Sequence, residues 1–108
     1  MEIFDAIAQP KRREILRLLA AGERSAGDVA SRFSVTQPAI SQHLKVLREA
    51  GLVSDRRDGA RRLYRVRPEG LAQLQTFLAD VMPAALERLK EVAEEDERRA
   101  GAGDATRN

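Results

Sequence analysis

Residues 25–53 have the sequence SAGDVASRFSVTQPAISQHLKVLREAGLV, which predicts two short helices separated by a tight turn. Ser25, followed by Asp28 three residues later, resembles a capping box in which Asp replaces the usual Glu or Gln. The helix that begins there is expected to end near Phe33. Two or three turn residues follow, so the two helices should lie close together in space.

The second helix is predicted to run from Gln37 to Ala50, with Thr36 as its N-cap and Gly51 after its end. Pro38 lies in its first turn, where the missing N–H is tolerated. At 100° per residue, the polar residues of this helix point away from its apolar side. That apolar side is expected to face the core and consists of Ile40, Leu44 and Leu47.

The flanking segments predict four further elements, of which the first is a short helix from Glu2 to Ile7 with Ile3, Phe4 and Ile7 apolar. Pro10 opens a helix in which proline's missing N–H costs nothing. Asp58-Gly59 between two short runs predicts a β-hairpin, because its turn requires positive φ angles. From Pro68 a leucine-rich helix is expected, which Pro83 should kink or divide. Four cations on the outer side of the helix at Pro10 are expected to face water or phosphate: Lys11, Arg12, Arg13 and Arg17.

The order of these elements predicts a mainly α fold with a small β-hairpin, a winged helix-turn-helix. In a helix-turn-helix the first helix braces the second, which enters the major groove of DNA and presents its N-terminal residues to base edges. An apolar inner side, polar outer residues and nearby cations are the features that this role requires. The alternative is an ordinary three-helix bundle with an incidental hairpin.

Candidate DNA-binding residues lie on the outer side of the second helix and along the hairpin. Gln42 is the best candidate for base recognition, because its amide can pair bidentately with adenine. Lys45 and Arg48 fit phosphate contacts, which position a protein without specifying a sequence. His43 borders the apolar side, so local packing competes with a DNA contact. The full set is Thr36, Gln37, Ser41, Gln42, His43, Lys45, Arg48, Arg56, Arg57, Arg61 and Arg62.

Charge is distributed unevenly along the 108 residues. Residues 1–68 carry 14 Lys/Arg against 8 Asp/Glu, whereas residues 69–108 carry 5 against 9. The first part is therefore suited to a polyanion such as double-stranded DNA. A mosaic of solvated charges explains the same counts without any partner.

The composition argues against several classes of protein. The chain has no Cys and one His, so thiolate sites, disulfides and an all-imidazole metal site are not expected. No catalytic triad, glycine-rich phosphate loop or acid pair can be assembled, so we expect no enzyme and no cofactor. No stretch approaches the roughly 20 apolar residues of a membrane span. The first residues lack a signal-peptide pattern, and a cytoplasmic protein is expected.

Two segments resemble the ArsR family of repressors. The first is Phe4–Leu16, FDAIAQPKRREIL, and the more specific one is Gln37–Val53, QPAISQHLKVLREAGLV. Asp58-Gly59 with Leu63-Tyr64 completes the wing pattern. The resemblance covers about residues 2–80 and is nearest to the metal-independent, autorepressor-like branch. It implies a dimer held by the first and last helices, bound to a palindromic operator and released by an effector.

The first and last helices carry more apolar residues than one small hydrophobic core needs, which also favours a homodimer. We expect a single domain over residues 1–97, with a helix-turn-helix at 25–50, a wing at 52–67, a C-terminal dimerisation helix at 69–97, and a disordered tail at 98–108. The predicted dimer interface consists of Ile3, Phe4, Ile7, Leu71, Leu74 and Leu78.

The chain departs from the family's founding members at their metal sites. Their cysteine motif falls on the helix after Ser25, where this chain has Ala26–Ala30, and Asp80 on the last helix has no His near it. Thiophilic metal sensing is therefore not expected, and the effector, a small molecule or a protein, stays unidentified. Two other functions remain open: a winged-helix module that binds proteins, and a non-specific nucleic-acid binder.

Overall fold

The computed structural model describes residues 2–100 in full and the helical backbone of residues 101–107. Its elements are α1 (Ile3–Ile7), α2 (Pro10–Ala20), β1 (Arg24–Ser25), α3 (Ala26–Arg32), α4 (Gln37–Glu49), β2 (Val53–Asp58), β3 (Arg61–Val66) and α5 (Pro68–Arg107). The strands form one antiparallel sheet in the order β1-β3-β2. The predicted fold class, helices with a small β-hairpin after a helix pair, is confirmed.

The chain divides into two compact units, residues 1–74 and residues 75–108. The first unit contains α1 to α4, the sheet and the start of α5. The second unit is the remainder of α5. The single domain expected over residues 1–97 stays a prediction.

Side-chain caps set the starts of α3 and α4. The Ser25 hydroxyl accepts a hydrogen bond from the Asp28 N–H at 3.1 Å, and the Thr36 hydroxyl accepts one from the Ala39 N–H at 3.3 Å. Each cap satisfies a backbone donor that a helix start leaves unpaired, which is worth about 1 kcal/mol. The capping box is one-sided, because the Asp28 carboxylate binds Arg24 at 2.8 Å.

The core of the first unit forms where α4 meets the other helices. Ile40, Leu44 and Leu47 are all 0% exposed, as predicted for the apolar side of α4. They belong to one buried cluster with Ile15 of α2 and Val29 of α3. Complete burial of each such side chain contributes about 1.5–3 kcal/mol. This packing fixes the outer side of α4 relative to the sheet.

Two arginines of α2 donate hydrogen bonds to the last carbonyl groups of α1. Arg12 is 8% exposed; its Nε donates to the Ala6 carbonyl, and its Nη2 donates to the Asp5 carbonyl at 3.2 Å. Arg13 is exposed, and its Nη1 donates to the Ile7 carbonyl at 2.7 Å. Cations in this position satisfy orphan carbonyls and offset the helix dipole. The prediction that Arg12 faces water or phosphate is therefore wrong.

The hairpin turn is one residue later than the dipeptide that predicted it. Asp58 and Arg61 are still paired across the strands, so Gly59 and Ala60 form the turn. Gly59 has φ of +64°, and no described non-glycine residue has positive φ. A positive φ at the first central residue alone is the pattern of a type II′ turn. The sheet also contains β1, a two-residue strand that the sequence did not predict.

The last helix extends further than predicted, and of the two predicted effects of Pro83 the division is absent. Residues 98–100 are helical where a tail was expected, and residues 101–108 of that predicted tail lie outside the fully described part. Pro83 lies within α5 without dividing it. None of the helices in the described part combines the length and apolar character needed to cross a membrane.

Candidate nucleic-acid interface

The outer side of α4 is polar and open. The opposite side of the helix packs in the core, so the outer residues stay exposed. These are Gln37, Ser41, Gln42 and Lys45. Thr36 is exposed too, although its hydroxyl is engaged as the helix cap. The predicted base-recognition candidates therefore share one accessible surface near the N-terminus of α4, which is the geometry of a recognition helix.

His43 is the exception on this helix. It is half-buried, and this burial lowers the pKa of its imidazole, as do the nearby cations Arg12 and Lys11. The lowered pKa favours the neutral ring at pH 7. His43 is thus less accessible than Gln42 and carries no charge for a phosphate.

The strand register divides the wing arginines between two faces. Residues directly opposite each other on antiparallel strands share a face. Arg57 pairs with Arg62 and Asp55 pairs with Tyr64, which places these four side chains on one face of the hairpin. Arg56, opposite Leu63, and Arg61, opposite Asp58, lie on the other face.

The start of α4 and the wing enclose a cleft of about 440 Å³. Gln37 and Ser41 line it from α4, and Arg61, Arg62 and Tyr64 line it from β3. Polar residues of α4 thus border the same cleft as Arg61 and Arg62, although the strand register places these two arginines on opposite faces of the hairpin. Such a cleft suits the phosphate and sugar edge of a DNA strand, because amide, hydroxyl and guanidinium donors all bind phosphate oxygens.

Most of the predicted wing cations are already paired with carboxylates. Arg62 and Arg48 both donate to Asp55, at 2.7 and 3.3 Å. The hydrogen bond from Arg62 lowers the pKa of Asp55, and the charges of Arg48 and Arg62 lower it further. Arg61 lies 3.6 Å from Asp58. Arg48 and Arg62 thus share one sheltered acceptor, whereas the contact between Arg61 and Asp58 is longer and largely exposed.

Arg56 makes the most complete pair. Its Nε and Nη2 donate to the two carboxylate oxygens of Glu23 at 2.8 and 2.7 Å. The hydrogen bond from Arg56 lowers the pKa of Glu23. By contrast, the side chains of Arg57 and Lys45 make no hydrogen bond or ion pair with any residue of the described part. These two cations are immediately available to a polyanion.

The structure adds residues that the sequence analysis did not select. Asp55 and Glu23 hold the wing arginines, and Tyr64 lines the cleft. The two acids of β2, Asp55 and Asp58, lie on either side of Arg56 and Arg57, which was a signal for Asp55. Glu23 offered no such signal, since it is 33 residues from Arg56. Among the described residues, no group of three or more His, Cys, Asp or Glu side chains is placed to hold a metal ion.

The fold and this interface define a winged helix-turn-helix DNA-binding protein. The bacterial regulatory protein family arsR matches residues 9–55. An HTH-type transcriptional regulator of Mycobacterium tuberculosis is 48% identical over 75 residues, which cover 69% of this chain and 70% of that one. This chain belongs to the ArsR family of bacterial transcriptional regulators. The predicted family is confirmed.

Another relative and two solved structures are similar. The transcriptional repressor SdpR of Bacillus subtilis is 47% identical over 57 residues, covering 53% of this chain and 63% of the relative. A crystal structure of a possible transcriptional regulator for arsenical resistance has a TM-score of 0.74 and 43% identity, covering 82% of this chain and 93% of that one. A homodimeric winged helix-turn-helix DNA-binding domain of Mycobacterium bovis, a possible ArsR-family regulator, has a TM-score of 0.62 and 35% identity, covering 74% of each chain.

Proposed function

We propose that this ArsR-family regulator is a homodimeric repressor that occupies a palindromic operator. The observation that carries the proposal is the cleft between α4 and the wing, which is lined by Gln37 and Ser41 of α4 and by Arg61 and Arg62 of β3. A duplex whose backbone lies along this cleft would have α4 in its major groove and the hairpin along the neighbouring backbone or minor groove. Repression follows when the occupied operator overlaps a promoter, and the repressor named among the relatives supports this direction of control.

The exposed residues divide into base recognition and phosphate contact. Gln42 is proposed to recognise a base, because it is exposed on α4 and its amide can pair with adenine. Lys45, Arg48 and Arg57 are proposed to bind phosphates. Thr36 contributes chiefly as the cap of α4, and the half-buried His43 contributes least. Arg56, Arg61 and Arg62 complete the set at the wing.

A second copy of the chain is proposed to cover exposed apolar side chains of the first and last helices. Phe4 is 43% exposed, Leu71 is 37% exposed and Leu78 is 47% exposed. Ile7 and Leu74 are partly buried. Ile3 is 4% exposed and lies in the protomer's own core, so the proposed interface does not include it. The homodimeric structure among the relatives supports this arrangement.

The second unit carries its own exposed apolar residues. Val81, Met82, Leu86, Leu89 and Val92 are 40–63% exposed, and from Met82 onward they recur every three or four residues. Scattered exposed apolar residues are ordinary, but a continuous row marks an interaction surface. We propose that a second copy of the chain covers this row.

The regulator is proposed to act in the cytoplasm and to respond to no thiophilic metal, because it has no Cys and one His. Its effector, a small molecule or a protein, is left unassigned. The relatives named above are regulators, which supports a role without catalysis.

The decisive experiment is binding of the purified chain to its own promoter fragment and to a scrambled duplex of equal composition. We expect selective binding with two protomers per duplex. Equal binding to both duplexes would instead identify a non-specific nucleic-acid binder. Absence of binding at low salt would favour the protein-interaction module.

A further inference from the structure

A single carboxylate connects the recognition helix to the wing. Arg48 Nη1 of α4 lies 3.3 Å from Asp55 Oδ2, and Arg62 Nη1 of β3 lies 2.7 Å from the same oxygen. The Asp55 side chain is 14% exposed, whereas those of Arg48 and Arg62 are 42% and 47% exposed. The acid is therefore sheltered between two cations that remain accessible from outside.

Each arginine keeps donors for a second anion. Only Nη1 of Arg48 and of Arg62 binds Asp55, and a guanidinium has five N–H donors in a fixed plane. Pairing with Asp55 restricts the orientation of that plane before any DNA arrives. Less side-chain freedom is then lost when the remaining donors bind phosphates, which favours the correctly shaped duplex.

Asp55 also offsets a repulsion between like charges within the hairpin. Arg57 and Arg62 are directly opposite each other on β2 and β3, and like charges in that position repel. Asp55 is on the same face, next to this pair. A single exposed ion pair contributes little to stability, but Asp55 bridges two elements whose spacing determines how a duplex fits.

We propose that Asp55 is a positioning residue for DNA selectivity: it orients Arg48 and Arg62 and keeps the wing at a set distance from α4. The inference rests on the DNA-binding function proposed above. Loss of this carboxylate has two opposite effects. The surface becomes more positive, which strengthens binding to any DNA. The arginines lose their common orientation, which weakens binding to the operator alone. Selectivity is therefore expected to fall while general affinity rises.

Asp58 provides a matched control. It is in the same hairpin, and its replacement by Asn changes the charge by the same amount as the replacement of Asp55. However, Asp58 lies 3.6 Å from Arg61 alone, and both of these side chains are at least half exposed. It connects no helix to the wing.

The test compares wild type, Asp55→Asn and Asp58→Asn on two duplexes. One is the sequence that the wild-type protein enriches from a randomised library, and the other is a scrambled duplex of the same composition. We expect Asp55→Asn to lower the ratio of specific to non-specific affinity about fivefold or more, the value of one well-placed base contact. Asp58→Asn should leave that ratio within about twofold, as for an ordinary surface change.

The outcomes separate this inference from the proposed function. If wild type enriches no sequence, the proposed function fails and this inference fails with it. If wild type is selective but Asp55→Asn keeps the full ratio, or Asp58→Asn loses it equally, only the role of Asp55 is overturned.

A double-mutant cycle distinguishes positioning from a general loss of structure. In a protein that already carries Arg48→Gln and Arg62→Gln, adding Asp55→Asn should leave the selectivity ratio unchanged, because its targets are absent. A further loss of equal size in that background would contradict the proposal. Thermal unfolding confirms that each variant folds, and Asp55→Thr replaces Asp55→Asn if the asparagine variant does not.

Discussion

Gly70, near the start of α5, packs directly against the backbone of Gly51, which follows α4. A β-carbon placed on Gly70 would overlap the Gly51 carbonyl oxygen and lie 2.8 Å from its carbonyl carbon. Gly70 is buried, and Gly51 has a φ of +80° that few other residues adopt. The end of α4 and the start of α5 are thus in backbone contact, with no room for a side chain between them.

Gly70→Ala is therefore expected to destabilise the protein by about 1–3 kcal/mol or more, as for a methyl group forced into a packed site. The overlapping atoms belong to backbone, which cannot rotate away. Urea unfolding followed by circular dichroism measures the change. The control is Gly22→Ala, because a β-carbon there meets nothing within 4 Å. If the two variants are equally stable, α5 can move far enough to make room for the added methyl group, and the prediction is wrong.

The proposed dimer is tested by Leu71→Glu. Leu71 is 37% exposed, and a charge placed in an apolar interface would lose its hydration without gaining a partner. We expect wild type to sediment as a dimer at micromolar concentration and Leu71→Glu to shift toward the monomer of 12.0 kDa. Gln73→Glu, exposed and directed about 200° away around the helix, should stay dimeric. A monomeric wild type would contradict the proposal.

Base recognition and phosphate contact are separable by salt dependence. Gln42→Ala is expected to cost about 1–3 kcal/mol on the operator and little on random DNA, with an unchanged salt slope. Arg57→Ala should weaken both, because Arg57 is proposed to bind a phosphate, and each lost phosphate contact should flatten log K against log salt by roughly 0.9, doubled if both protomers contribute. Fluorescence anisotropy across a salt series measures this. Arg88→Ala on α5 controls for charge alone. If Gln42→Ala weakens both duplexes equally, the proposed docking is wrong.

Thiophilic metals are expected to leave operator affinity unchanged. The chain has no Cys, and His43 is its only imidazole, so it has no closed set of soft ligands. Anisotropy titrations with zinc, cadmium or arsenite, with chelator added back, test this expectation. A stoichiometric loss of DNA binding that the chelator reverses would reveal a metal site.

His43 is expected to make stability depend on pH just below neutrality. Burial, together with Arg12 and Lys11, lowers the pKa of His43 in the folded state below the ordinary value of about 6.5. The unfolded chain then binds more protons in that range, so the free energy of unfolding falls as pH decreases through about 6.5 and toward the lower folded pKa. His43→Gln should flatten the change between pH 7 and the onset of carboxylate titration. If the free energy of unfolding depends on pH in the same way in His43→Gln, another group is responsible for that dependence.

The sequence by itself determined the helix pair, its caps and the existence of the wing. These features depend on contacts between near neighbours, such as Ser25 with Asp28 and Thr36 with Ala39. The apolar side of α4 was equally predictable, because its helical period is visible in the residues themselves. Family membership could be predicted from the same stretch, since it depends on local motifs.

Only the tertiary structure decided how distant residues are combined. It pairs Arg56 with Glu23, adds Arg24 and Ser25 to the sheet as a third strand, and buries Arg12 against the end of α1. It also gives Asp55 two arginines from different elements, and gives Gly70 a packing role that its place at the start of a helix does not suggest. The physical reason is the same in each case. A charge or a missing side chain has many candidate partners along the chain, and the packing of the core selects which of them come within contact distance.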